Sequence, residues 1–141
     1  MKIDNALAMN RRIGILPGTY CFSVPCGFTE PLPDGTHRPK KGMEPLFVMQ
    51  SCQIGAYTGT TKGGFRIDDS WRENDGLVNT VSTMAPSGAP SKPFDRTHVE
   101  PGVWNVFPAY AGDHTALQGG LMRKHEIRGF YEELLSLIES L

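Results

Sequence analysis

An aspartate and a histidine stand out for the chemistry they could do together. Asp75 lies in ENDGLVNTVS, residues 73 to 82, and His114 in AGDHTALQGG, residues 111 to 120. A carboxylate that accepts a hydrogen bond from one imidazole nitrogen fixes the tautomer and leaves the other nitrogen as a general base. Acid, then histidine, then a closing helix is also the chain order found downstream of the nucleophile in one arrangement of serine-based acyl transfer. The Asp75-Gly76 pair has a second reading: Asp-Gly marks a turn, because glycine accepts positive φ and aspartate can bond its own backbone.

These two residues need elements to place them. GTYCFSV, residues 18–24, is β-branched and aromatic, stops at Pro25 and reads as a buried strand; GVWNVFPAY, 102–110, reads as a second. Residues 4–12 read as a short helix. PCGFTEPLPDGTHRPKKG (25–42), TGTTKGGFRIDDS (58–70) and APSGAPSKPFDRT (85–97) read as loops from their proline, glycine and serine content. Residues 43–58 carry enough apolar side chains to lie against a core, a helical turn being one way to do so. LVNTVSTM, 77–84, fits a helix or a strand. The clearest element is a helix from about Lys124 to Ser140, with Ile127, Phe130, Tyr131, Leu134, Ile138 and Leu141 on one stripe and Glu132, Glu133 and Glu139 off it. It is expected to pack on a sheet.

Composition narrows the classes. The chain has 141 residues, 39% hydrophobic and 21% charged, which suits one domain or a large piece of one. A net charge of −1 leaves no electrostatic footprint for nucleic acid. No apolar run approaches a membrane-spanning length. The 16 glycines and 11 prolines exclude a helical bundle. Cys21, Cys26 and Cys52 lack metal-type spacing and read as buried free thiols, one disulfide being the alternative. MKIDNALAMNRR is no signal peptide, so the chain is either cytoplasmic or not the whole protein. Two strands are too few for a sheet, and strands followed by helices favour an α/β sheet with functional groups on loops beyond the carboxyl ends of its strands. The partners of these strands are expected to be missing strands of a larger sheet.

IDDSWRENDGLVNTVS, GVWNVFPAYAGDH and EIRGFYEELLSLIESL, with LPGTYCFS upstream, resemble the end of the secreted triacylglycerol lipases of Gram-positive bacteria, the staphylococcal and thermostable-bacillus type. The resemblance runs from about residue 4 to the C-terminus. It implies an α/β fold: the C-terminal portion of an α/β-hydrolase sheet with a closing helix, incomplete as a stand-alone domain, with residues 1–141 as one segment. It also implies Asp75 as catalytic acid and His114 as catalytic histidine. A turn residue and a catalytic residue are then not rival readings of Asp75. The family's nucleophile, oxyanion-hole loop and lid precede the matched region, and the chain has no G-x-S-x-G. Alone it is expected to be inactive, its partners being the missing N-terminal half and an ester or lipid substrate. Extracellular location follows from the resemblance only.

No cofactor is expected. The family's calcium ligands fall at Ala116 and near Gly120-Leu121-Met122, where no carboxylate stands, and calcium wants six or more oxygens. The family's zinc ligands lie upstream of this chain. Among the remaining candidates, Asp113 reads as a surface residue or a supporting contact, and Asp68 and Asp69 either orient the Asp75 loop or cap a turn. Trp71 and Trp104 read as packing residues rather than substrate contacts, and His37, His98 and His125 as surface histidines. Met43, Met49, Met84 and Met122 read as core filling. The competing class is non-catalytic: a lipase-derived module that binds a partner or an apolar ligand.

Overall fold

The computed structural model describes residues 3–122 and 124–141. In chain order the elements are α1 (Ile3–Asn10), β1 (Cys21–Ser23), β2 (Cys26–Gly27), β3 (Thr29–Pro31), β4 (His37–Pro39), α2 (Pro45–Ala56), β5 (Gly59–Thr60), β6 (Arg66–Ile67), β7 (Ser91–Pro93), β8 (Trp104–Val106), β9 (Tyr110–Ala111) and α3 (Arg128–Glu139). Single 3-10 turns cover Asp69–Trp71, Thr80–Thr83 and Ala116–Gln118.

Two parallel strand pairs, each broken by a proline, form the spine. β1 pairs with β8, and after Pro25 and Pro108 the same two chain segments pair again as β2 and β9. Proline has no N–H to give a ladder, so each segment is interrupted there. The backbone bridges the interruption: Phe107 N donates to Ser23 O at 2.9 Å and Tyr110 N to Pro25 O at 2.8 Å. β7 adds in parallel to the far side of β8, giving the order β1-β8-β7. Phe22, Phe94 and Phe107 cluster on this sheet, the last two stacked with centroids 3.8 Å apart. Asn105, fully buried in the central strand, donates to the carbonyls of Cys21 and Glu100, so the loop before β8 is tied to β1.

The two expected strands are therefore present, but shorter and half-buried, and three of the expected loops contain strands. The proline-rich 25–42 segment holds β2 and the β3–β4 hairpin, 58–70 holds the β5–β6 hairpin, and 85–97 holds β7. These strands of two or three residues are too brief to show a period of two, so the prolines and glycines at their ends dominate the sequence signal. Residues 43–58 hold a full helix, α2, and 77–84 become neither helix nor strand but a bend and a 3-10 turn.

In α3 the stripe is rotated from the expected one. Leu137 is its buried residue, while Tyr131 and Ile138 are exposed. The helix sits by Phe130 against Tyr110 of β9, with ring centroids 6.1 Å apart. Among the described residues no helix is long and apolar enough to cross a membrane.

α2 lies across β4, and Gly55 makes the approach feasible. A Cβ there would fall 2.2 Å from the carbonyl oxygen of His37. In an open helix, glycine to alanine stabilises by about 1 kcal/mol. Here overpacking, about 1–3 kcal/mol, opposes it. Gly55→Ala is expected to lower stability, by about 1–2 kcal/mol in urea denaturation, and a gain would mean that α2 is not pressed on β4.

Candidate active site

The site sits at the carboxyl ends of the paired strands β2 and β9. His114 follows β9 within a few residues. The Asp75 loop docks beyond β2: Phe28 N donates to Asn74 O at 2.9 Å, and Thr80 Oγ1 donates to Cys26 O at 2.9 Å. The Asp75 loop is thus held at this sheet edge by its bonds to Cys26 and Phe28, since its own preceding strand, β6, pairs with β5.

Residues 73–80 close into a tight loop through an antiparallel bridge between Asn74 and Asn79. Asp75 N donates to Val78 O at 3.1 Å. The Asp75 carboxylate serves two masters. Oδ1 accepts from Leu77 N at 2.9 Å and Val78 N at 2.8 Å, while Oδ2 accepts from His114 Nδ1 at 2.8 Å. An ionised carboxylate only accepts hydrogen bonds, so the bridging proton belongs to Nδ1 and Nε2 is left with its lone pair. Asp75 is 3% exposed, whereas the His114 side chain keeps 36% of its surface, so one partner is locked and the other faces outward. The main chain repeats the link: His114 N donates to Asp75 O at 2.8 Å.

Two residues that the sequence reading passed over hold this geometry. Asn74 is fully buried, donates to the carbonyls of Ser51 and Arg72, and accepts from Gly76 N at 2.9 Å. Its place beside Asp-Gly was the available signal. Phe47 of α2 meets the imidazole edge-on at 6.1 Å between centroids and also backs Gly76. Gly76 has φ near +100°, and a Cβ there would lie 2.6 Å from Phe47 Cβ. Both conformation and space require glycine.

The other candidates sort differently. Asp113 is buried, not at the surface. Its Oδ2 accepts from Glu44 N at 2.8 Å and its Oδ1 from Thr115 N and Oγ1 at 3.1 Å, the supporting-contact reading. Asp68 caps a turn by accepting from Ser70 N and Oγ, which holds its carboxyl below the usual range, and Asp69 pairs with Arg72. Trp71 packs on Phe65. Of the three histidines, only His98 is exposed; His37 and His125 are half-buried, His37 next to Thr29 Oγ1 at 3.1 Å. Met43 is buried, but Met49, Met84 and Met122 are exposed, so only one of the four fills the core.

All three cysteines are free thiols, Cys52 exposed and the others half-buried. Burial first, then the nearby charges of Asp75 and Asp113, pushes the Cys26 thiol up to about 11.

The positions at which the resemblance implies calcium ligands carry no carboxylate. Ala116 offers a wholly buried methyl, Leu121 an isobutyl group, and the neighbouring carboxylates of Asp113 and Glu44 accept backbone N–H groups. Among the described residues, no cluster of three or more His, Cys, Asp or Glu is arranged to hold a metal ion.

Two outcomes follow from this packing. Gly76→Ala is expected to lower stability by about 2–3 kcal/mol, since positive φ and overpacking add; a Tm unchanged within error would refute the tight turn. At pH 8, Cys26 should alkylate about 100-fold more slowly than an ordinary thiol, because only the thiolate reacts. Mass spectrometry after brief iodoacetamide treatment should find Cys52 modified and Cys26 intact.

No family model matches the chain. The lipase of Staphylococcus hyicus is 28% identical over 139 residues, covering 93% of this chain and 20% of that protein. EstA from Clostridium botulinum superposes with a TM-score of 0.87 at 26% identity over 96% of this chain and 32% of its own. Lipase 1 from Pelosinus fermentans does so with 0.79 at 28% identity over 98% of this chain and 37% of its own. The structure of the Staphylococcus hyicus lipase, at 24% identity and a TM-score of 0.81, shows the shared fold. The chain spans a fifth of the curated relative and about a third of the solved structures. In sequence and in fold, this chain resembles a part, not the whole, of the Gram-positive bacterial lipases and has the α/β-hydrolase architecture.

Proposed function

We propose that this chain is a segment of a carboxyl-ester hydrolase of triacylglycerol type, in which Asp75 and His114 supply the acid and base of a Ser-His-Asp triad. The bond between His114 Nδ1 and Asp75 Oδ2, 2.8 Å across 39 residues of chain, carries this reading. Nε2 takes the proton of a serine supplied by sequence outside these 141 residues as its oxygen attacks the ester carbonyl. The imidazolium then returns that proton to the departing alcohol, and Asp75 stabilises the charge in between. Water repeats the sequence on the acyl-enzyme and releases the carboxylic acid. With no G-x-S-x-G here, the chain by itself forms no acyl-enzyme. No step uses a metal from this chain.

A second reading draws on the surface. Leu16, Leu46, Met49 and Met122 are each more than 70% exposed, large apolar side chains that face outward. On the hydrolase reading these meet the rest of the catalytic domain; on the alternative they bind another partner, with no catalysis.

A p-nitrophenyl ester assay separates the two. The chain alone should be silent. Mixed with the nucleophile-bearing N-terminal part of a relative, it should hydrolyse the ester, and His114→Ala should abolish that rate. Asp75→Asn should lower kcat by about 10³–10⁴-fold, because the imidazole loses its fixed tautomer. Silence of every mixture, from a stable and monodisperse chain, would favour the binding module.

A further inference from the structure

Glu44 is buried to 1% exposure and stands immediately before α2, where a short polar side chain would cap the helix. It makes no such cap bond. Its Oε1 instead accepts from Leu121 N at 3.0 Å, and its own N–H donates to Asp113 Oδ2 at 2.8 Å. Asp113 in turn accepts from Thr115 N and Oγ1. One residue therefore grips the segment carrying His114 at both ends, at position 113 and at position 121. One turn further along α2, Phe47 rests against the imidazole. Burying a carboxylate is unfavourable unless its bonds repay it, and one of those bonds here goes to the loop that carries His114.

We propose that Glu44 is a positioning residue for His114: its carboxylate clasps the 113–121 loop to the start of α2 and so keeps the imidazole on Asp75. This rests on the hydrolase reading for its purpose, but its geometry is testable without activity. A free neutral histidine favours the proton on Nε2, whereas the bond to Asp75 demands it on Nδ1.

The test is the ring-nitrogen spectrum of His114 at pH 8.5 in the 15N-histidine-labelled chain, assigned with His114→Asn. The unsubstituted chain should show the Nδ1–H tautomer. Glu44→Ala should turn this into a mixture while near-UV circular dichroism stays native. Glu44→Gln should restore it, since an amide oxygen still accepts from Leu121 N–H. Where Glu44→Ala fails to fold, Leu121→Pro decides, because it removes the amide donor at an exposed residue and leaves the Glu44 carboxylate in place.

In the reconstituted ester assay, Glu44→Ala should cut kcat by about 10–100-fold with KM unchanged, the loss expected from a misplaced base. An Nδ1–H tautomer unaltered in Glu44→Ala and Leu121→Pro, or an Nε2–H tautomer in the unsubstituted chain, would overturn the proposal. A normal tautomer response with no hydrolysis in any mixture would instead count against the hydrolase reading alone.

Discussion

The Asp75 carboxylate is the interaction on which the rest of this structure depends. It closes its own turn by accepting two backbone N–H bonds and holds the His114 ring with its other oxygen. Hydrogen bonds to a charged group contribute about 1.5–3 kcal/mol each, against about 1 for neutral ones. Losing the carboxylate would thus undo the turn and the histidine together. The remainder of the architecture consists of what makes this geometry reachable: parallel strands that end side by side, a glycine at positive φ, and a helix whose Phe47 blocks the space behind.

The interior around the pair is polar. Among the described residues the buried apolar set is Met43, Phe47, Ile67, Ala116 and Leu137, while Glu44, Asn74, Asp75, Asn105 and Asp113 are as deeply buried. Polar groups in such a place are unfavourable unless satisfied, and satisfied networks tolerate few alternative arrangements. Asn74 holds one loop, Asn105 a second and Asp113 a third, each by bonds to backbone. This interior specifies position more than it supplies hydrophobic stability. Many of the chain's large apolar side chains face outward instead.

Other features follow the same division between local and long-range control. The Cys26 thiol is pushed up because burial and two carboxylates surround it, although its neighbours in sequence, Pro25 and Gly27, are uncharged. Met49 looks like a core residue by type but lies outside, because α2 turns one face to β4 and Gly76 and leaves the other open.

The sequence by itself determined the chemistry-bearing residue types, the Asp-Gly bend, the two main strand segments, the closing helix and the likeness to a lipase. These are local signals: a turn needs its glycine, a buried strand its β-branched and aromatic run, an amphipathic helix its period. The tertiary structure decided what depends on contacts across the chain. It brought Asp75 and His114 to 2.8 Å, buried Asp113, turned the face of α3 toward Leu137, and placed Glu44 on the loop that carries the histidine. It also made strands of proline-rich segments that read as loops, because a strand of two or three residues is stabilised by its partner and not by its own composition. Pairing, burial and long-range hydrogen bonding are properties of neighbours in space, and no local pattern records who those neighbours will be.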